Sequence, residues 1–364
     1  MLINLYTRMK KTLPLVIISF LFISATTFSD TRVPDDPEPC KKEKFATAEP
    51  GTCLDPKAYR LLKAIDRVQE NPYDNEFAKR LINILEPAMH KVVDTKVSHV
   101  EYDVPIRIYY PSRKSSRKPT PAIFFIHGGG FSYGSIEEYD MAVKKLARIT
   151  EMIVISADYR LAPEHPYPAA LTDTEAVMDW IIANRKELGI AGDKIILMGD
   201  SAGANLATVL ALKKRDEQRD EILCQVLYYP PTTFLEKEFP SRVYFLRDDD
   251  RSYILTEDFL MNTKKSYLPD SIPEDHPYVS PLEGDLSGDL PPVLIITAQV
   301  DPLRDDGRRY AEKLQEAGQD VTYFEYEGMI HGFMSFYMVL PEGKESMRLV
   351  RNYLADQTEG GAGT

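Results

Sequence analysis

Residues 194–212 read KIILMGDSAGANLATVLAL: a short apolar strand, a sharp turn at Gly199-Asp200-Ser201-Ala202-Gly203, and then a buried Ala/Leu-rich helix. A serine with a glycine two positions away on either side fits a strained strand-to-helix turn, where any Cβ would meet neighbouring backbone. Such a turn lifts the Ser201 hydroxyl clear of the sheet edge. The amide of Ala202 opens the helix as a free N–H donor, the kind of group that holds an oxyanion. The five-residue motif also occurs by chance, so its meaning depends on partners elsewhere in the chain.

Apolar runs at 122–126, 153–157, 195–198, 223–227 and 293–298 punctuate the chain, and most are separated by helical patterns. Ser135-Ile136-Glu137-Glu138 is a capping box that opens one helix, and 172–183 makes another. This alternation predicts an α/β fold with a largely parallel sheet covered on both faces. Upstream, 97–110 reads as two short strands with Pro105 at their join. Leu61, Leu62, Ile65 and Val68, then Phe77, Leu81, Ile84 and Leu85, recur at helical spacing on either side of Asn71-Pro72. These two helices precede the sheet and are expected, within 55–95, to form part of a lid. Residues 230–290 break the rhythm with prolines and aromatics, as a second cap-like insertion would. Their acidic run Asp248-Asp249-Asp250 reads as a solvated face, because three consecutive acids point in different directions on a regular backbone.

The bulk numbers suit one enzyme-sized globular protein. The chain has 364 residues, 43% of them apolar, and a net charge of −12 that repels phosphate backbones, which excludes nucleic acid as a partner class. Arg8, Lys10 and Lys11 precede the uncharged run 13–28, the architecture of a signal peptide cut before Asp30. An uncleaved membrane anchor is the alternative. The expected map is a signal or anchor at 1–29, a linker at 30–54, one domain at 55–356 and a Gly-rich disordered tail at 357–364. Localisation is expected to be exported, with a membrane tether as the other possibility. Cys40 and Cys53 lie close enough in sequence to bridge in an oxidising compartment, whereas Cys224, in ILCQVL, reads as a buried core thiol. No cysteine pair has metal-ligand spacing, and a structural zinc site would need companions that the chain does not have, so no metal site is expected.

A serine hydroxyl is a poor nucleophile near neutral pH and needs a base, which in turn needs an orienting acid. Of six histidines, His331 alone lies on a glycine-bounded loop after an apolar stretch, where a parallel sheet presents chemistry. Asp301 follows the strand VLIITA and is favoured as the acid. Asp305 and Asp306 are rivals by type, but they fall where the next helix has begun. His127-Gly128-Gly129-Gly130-Phe131 follows the strand AIFFI, and its glycines let backbone N–H groups approach a reacting carbonyl. No Gly-Lys-Ser/Thr follows, which removes a phosphate loop. His127 reads as a residue that fixes the glycines rather than as a base.

Taken together, HGGGF, GDSAG, DPLRDDG and HGF, with DYRLAPEHPYPAAL at 158–171, resemble the hormone-sensitive lipase family of α/β-hydrolase esterases over about residues 55–355. The resemblance implies an α/β-hydrolase fold with a helical cap and cofactor-free hydrolysis of a small-molecule carboxylic ester, of short to medium acyl length. It implies Ser201, Asp301 and His331 as a triad and amides of Gly128, Gly129 and Ala202 as the oxyanion hole. His127, Gly130, Gly199, Asp200 and Gly203 would support the motifs. Ala204 departs from the family, many of whose members carry a further glycine there. Two other functions fit the same residues: an amidase or deacetylase using the same triad, and a non-catalytic binder of small ligands under the lid.

Overall fold

The computed structural model describes residues 52–70, 87–98, 102–112, 120–246 and 254–359. The signal or anchor segment, most of the linker with Cys40, the second expected lid helix, the acidic run 248–250 and the last residues of the tail lie outside the described residues.

Eight strands form one sheet: β1 (Lys91–Ser98), β2 (Asp103–Tyr110), β3 (Ile123–Ile126), β4 (Val154–Ala157), β5 (Ile195–Asp200), β6 (Ile222–Tyr228), β7 (Val293–Val300) and β8 (Val321–Ile330). Their spatial order is β1-β2-β4-β3-β5-β6-β7-β8. β2 runs antiparallel to both β1 and β4, and every later pairing is parallel. Every residue of β3, β4 and β5 is buried, as in parallel strands with helices on both sides.

The pleat sorts neighbours to opposite faces. Phe124, Ile126, Ile195 and Leu197 join one core with helices α3 (Ala169–Leu188), α4 (Ala202–Asp216) and α7 (Arg304–Glu316). Ile123, Phe125, Ile196 and Met198 join the other, with α1 (Pro56–Glu70), α2 (Ile136–Thr150) and α8 (Pro341–Glu359). The remaining helices, α5 (Pro240–Leu246) and α6 (Glu257–Tyr267), belong to the insertion. Ser135 caps α2 by accepting from the Glu138 N–H at 3.2 Å.

Several boundaries differ from the sequence expectation. Residues 91–95, assigned there to the cap helices, begin β1; this edge strand is mostly solvent-exposed, so its β-branched Val92, Val93 and Thr95 form no apolar periodicity. Pro105 stands inside β2 rather than at a join. Its carbonyl accepts from Asp158 N–H, and the reciprocal bond that a proline nitrogen cannot donate falls just beyond the last β2–β4 pair, Ile106↔Ala157, where the ladder ends. Leu54, at the end of the expected linker, is buried beside Ala58 and Leu61 of α1. At the other end α8 continues through Glu359, so residues 357–359 are helix rather than tail. Cys224 is a free, buried thiol and Cys53 is disulfide-bonded.

Candidate active site

The turn at Ser201 is built by backbone crowding. Ser201 takes φ 52° and ψ −125°, a conformation that stores about 1–3 kcal/mol in a residue with a Cβ. The turn holds because its glycines admit contacts that no side chain would survive. A Cβ on Gly203 would run into the Ile126 carbonyl oxygen, and one on Gly199 into the carbonyl of Gly203. Ser201 N–H donates to Tyr228 O at 2.9 Å, tying the turn to the end of β6.

The ends of β7 and β8 bring the other two groups in. His331 Nε2 lies 2.9 Å from Ser201 Oγ, and His331 Nδ1 lies 2.8 Å from Asp301 Oδ2. A carboxylate only accepts, so Nδ1 carries the hydrogen and Nε2 is left to accept from the serine hydroxyl. Asp301 is fully buried and its other oxygen accepts from Leu303 N–H at 2.8 Å, which fixes the carboxylate plane. The His331 loop is anchored from both sides. Gly328 N–H donates to Gln299 Oε1 at 2.9 Å, and Asp55 N–H donates to Gly328 O at 3.0 Å. Here β8 runs on past 321–326: it has three residues between Tyr326 and Ile330 where β7 has one between Ala298 and Val300, which is the bulge that delivers His331. The ring of Tyr229 packs 4.6 Å from that of His331.

The glycine loop after β3 is arranged differently from the expectation. Gly128 N–H donates to Asp200 Oδ1 at 2.9 Å, and Tyr139 Oη–H donates to Asp200 Oδ2 at 3.0 Å. Gly128 is therefore not available as an oxyanion amide, because its hydrogen is committed to a buried carboxylate that needs donors. Among the described residues, the N–H groups of Gly129, Gly130 and Ala202 have no acceptor, and Gly130 and Ala202 line a cleft beside Ser201. Backbone amides next to a nucleophile are rarely left unpaired without a ligand to receive them. His127 is fully buried and stacked 4.3 Å from Tyr159. Burial pushes its pKa down to about 4, so the ring is neutral, with Nδ1–H donating to Gly128 O at 2.8 Å. It shapes the loop, and its ring makes no hydrogen bond to Ser201. Burial has the opposite effect on Asp200, raising its carboxyl to about 6 against the bonds from Tyr139 and Gly128.

With this geometry in view, comparison with known proteins is decisive. A family model described as the alpha/beta hydrolase fold matches residues 123–335. The chain belongs to the hormone-sensitive lipase-like α/β-hydrolase family. The hydrolase is 39% identical over 248 residues to carboxylesterase NlhH of Mycobacterium tuberculosis, covering 67% of this chain and 75% of that protein. It is 32% identical over 305 residues to esterase LipI of the same organism, covering 82% and 94%. Among solved structures it is similar to a hyperthermophilic esterase from Pyrobaculum calidifontis, with TM-score 0.75, 33% identity, and 85% and 99% of the two chains covered.

Above Ser201 the hydrolase has a cleft of about 500 Å³. Its wall comes from the insertion: Phe234, Leu235, Val243, Leu246, Phe259 and Leu260 face Gly130, Phe131 and Ala202 of the body. Among the described residues, none of α1 lines it; that helix is buried against β8 and the second core instead. Both ends of the insertion are tied to α4 by one side chain: Asn205 Nδ2 donates to Pro231 O at 2.9 Å and to Val279 O at 3.0 Å. Asn205 and Tyr139 were not anticipated from sequence. An amide one turn after Ser201, in a run of Ala and Leu, is a signal that could have marked Asn205; Tyr139 sits in an amphipathic helix with nothing to distinguish it. Among the described residues, no group of three or more His, Cys, Asp or Glu is arranged to hold a metal ion.

Proposed function

We propose that this hydrolase cleaves carboxylic esters through an acyl-enzyme on Ser201. The observation that carries this is the continuous chain of short hydrogen bonds from Ser201 Oγ through His331 to Asp301. His331 Nε2 takes the serine proton as Oγ attacks the ester carbonyl, and Asp301 stabilises the imidazolium that forms. The carbonyl oxygen, now an oxyanion, is received by the amides of Gly129, Gly130 and Ala202. Collapse of the tetrahedral adduct expels the alcohol, which leaves with the proton from Nε2. Water then repeats the sequence on the acyl-enzyme and releases the acid. The relatives named carboxylesterase and esterase support this substrate class.

Steady-state hydrolysis of p-nitrophenyl butyrate by the purified protein tests the proposal. Turnover that disappears in Ser201→Ala is expected. A parent that does not turn over the ester, or a variant that keeps the parental rate, overturns it.

Export belongs to the same proposal. It is supported by the basic-then-apolar pattern of residues 8–28 and by the disulfide at Cys53, which suits an oxidising compartment. N-terminal sequencing of the mature protein, expected to begin near Asp30, checks it, and an intact N-terminus on soluble cytoplasmic protein contradicts it.

A further inference from the structure

Asp305 and Asp306 entered as rivals for the triad acid, and the structure brings neither to His331. Both turn instead toward the insertion. Asp306 is fully buried and faces Arg242 of α5 in a two-point fork, Nη2 to Oδ1 at 2.6 Å and Nε to Oδ2 at 3.1 Å. The same guanidinium donates to Leu235 O at 3.0 Å through Nη1 and to Thr233 O at 3.1 Å through Nη2. Thr232 is bound to Asp306 twice, its N–H reaching Oδ1 at 3.3 Å and its hydroxyl reaching the backbone carbonyl at 2.9 Å. One residue earlier, Asp305 Oδ2 accepts from Ser241 N–H at 2.8 Å, and Ser241 Oγ–H donates to Pro302 O at 2.9 Å.

Segment 301–307 thus does three things at once. It supplies Asp301 to His331, places Leu303 in the cleft lining, and grips two of the parts of the insertion that line the cleft, 232–235 and α5, while α6 forms the remaining wall. A guanidinium suits this task because its planar fork can hold a carboxylate while its outer N–H groups hold carbonyls, which a lysine ammonium cannot reproduce. We propose that the Arg242–Asp306 fork is the positioning element that sets the distance between the cleft wall and the triad, and thereby determines which acyl or alcohol groups the enzyme accepts. This rests on the ester-hydrolase reading of the same site. Arg242 and Asp306 act through Thr233, Leu235, Val243 and Leu246, not on the reacting atoms.

The test uses Arg242→Lys, which keeps the charge but not the fork, and Arg242→Gln, which keeps a donor but not the charge. Folded active sites are counted by labelling with a small methyl fluorophosphonate, and kcat and KM per labelled site are measured on p-nitrophenyl acetate, butyrate, hexanoate and octanoate. Labelling and acetate kcat are expected to stay close to parental. The ratio of kcat/KM between hexanoate and acetate should change on the order of tenfold, mostly through KM, since each methylene in a shaped pocket is worth about that much discrimination. Acyl profiles parallel to the parent's overturn the proposal, as does an equal fall of labelling and of turnover on all four esters. A parent that neither labels nor turns over any ester overturns the hydrolase reading itself, an outcome distinct from the other two.

Discussion

The loops that carry Ser201, Asp301 and His331 and the insertion facing them are held by different means. Ser201, Asp301 and His331 stand directly at the ends of β5, β7 and β8, and their positions follow from a parallel ladder whose strands are buried on both faces. The insertion has no strand among its described residues. It is fastened by side chains that cross tens of residues in sequence: Asn205 to its two ends, Arg242 to Asp306, Ser241 to Asp305. Backbone pairing is cooperative and indifferent to most side-chain identities, whereas a side-chain tether fails with one substitution. The chemistry of this enzyme should therefore be hard to retune without losing it, and its selectivity easy.

The strongest way to break that contrast is at the strand ends. Ser201→Ala and His331→Ala should each lower ester turnover by roughly a thousandfold to a millionfold with folding retained, measured by initial rates alongside far-UV circular dichroism. Asp301→Asn should cost on the order of ten-thousandfold in kcat, because the amide would favour the wrong imidazole tautomer. Residual activity near the parental level in any of the three would mean that strand-end placement does not define the chemistry.

Asp200 lies between the two regimes, since it is a side-chain tether that holds the glycine loop. Asp200→Asn should lower kcat by roughly tenfold, less than the hundredfold or more expected when an oxyanion donor is itself lost. Its pH signature has a definite sign. Burial lifts the folded carboxyl from 3.8 to about 6, so the folded state keeps a proton that the unfolded chain releases, and stability falls as pH rises through that window. The stability gap between Asp200→Asn and the parent should narrow between pH 5 and pH 8, as read from thermal melts. A gap that widens would show that burial does not dominate at this site. Below pH 6 the protonated carboxyl holds Gly128 and Tyr139 more weakly than the carboxylate does, and parental turnover should decline there.

The smallest effect is expected at Asn205. Asn205→Ala removes two bonds to the insertion, worth roughly 1–3 kcal/mol together, and should raise KM severalfold for larger esters while leaving kcat on acetate nearly unchanged. A loss of kcat equal on all substrates would instead place Asn205 with the chemistry.

This division also governed what could be read from residues alone. Apolar runs marked β3 to β7 because burial on both faces removes alternation, and Ser201 after β5, Asp301 after β7 and His331 after β8 are the residues that the fold joins by hydrogen bonds. Conformation within the glycine loop was hidden: three consecutive glycines do not reveal which amides stay free, and the assignment of Gly128 failed because a buried carboxylate at Asp200 claims its hydrogen. Asp305 and Asp306 looked like spare acids because their partners, Ser241 and Arg242, are 64 residues away with no periodicity linking them. The edge strand β1 and the interior Pro105 escaped for the same reason, since their roles depend on which neighbour each backbone group faces.

On the proposed mechanism one hydroxyl, activated by His331, does the chemistry. Treating the parent with a fluorophosphonate and mapping the adduct by peptide mass spectrometry tests it most directly. Stoichiometric modification of Ser201, with loss of ester turnover in step and no adduct in His331→Ala over the same interval, is the expected result. A protein that hydrolyses esters while Ser201 remains unmodified would contradict the account.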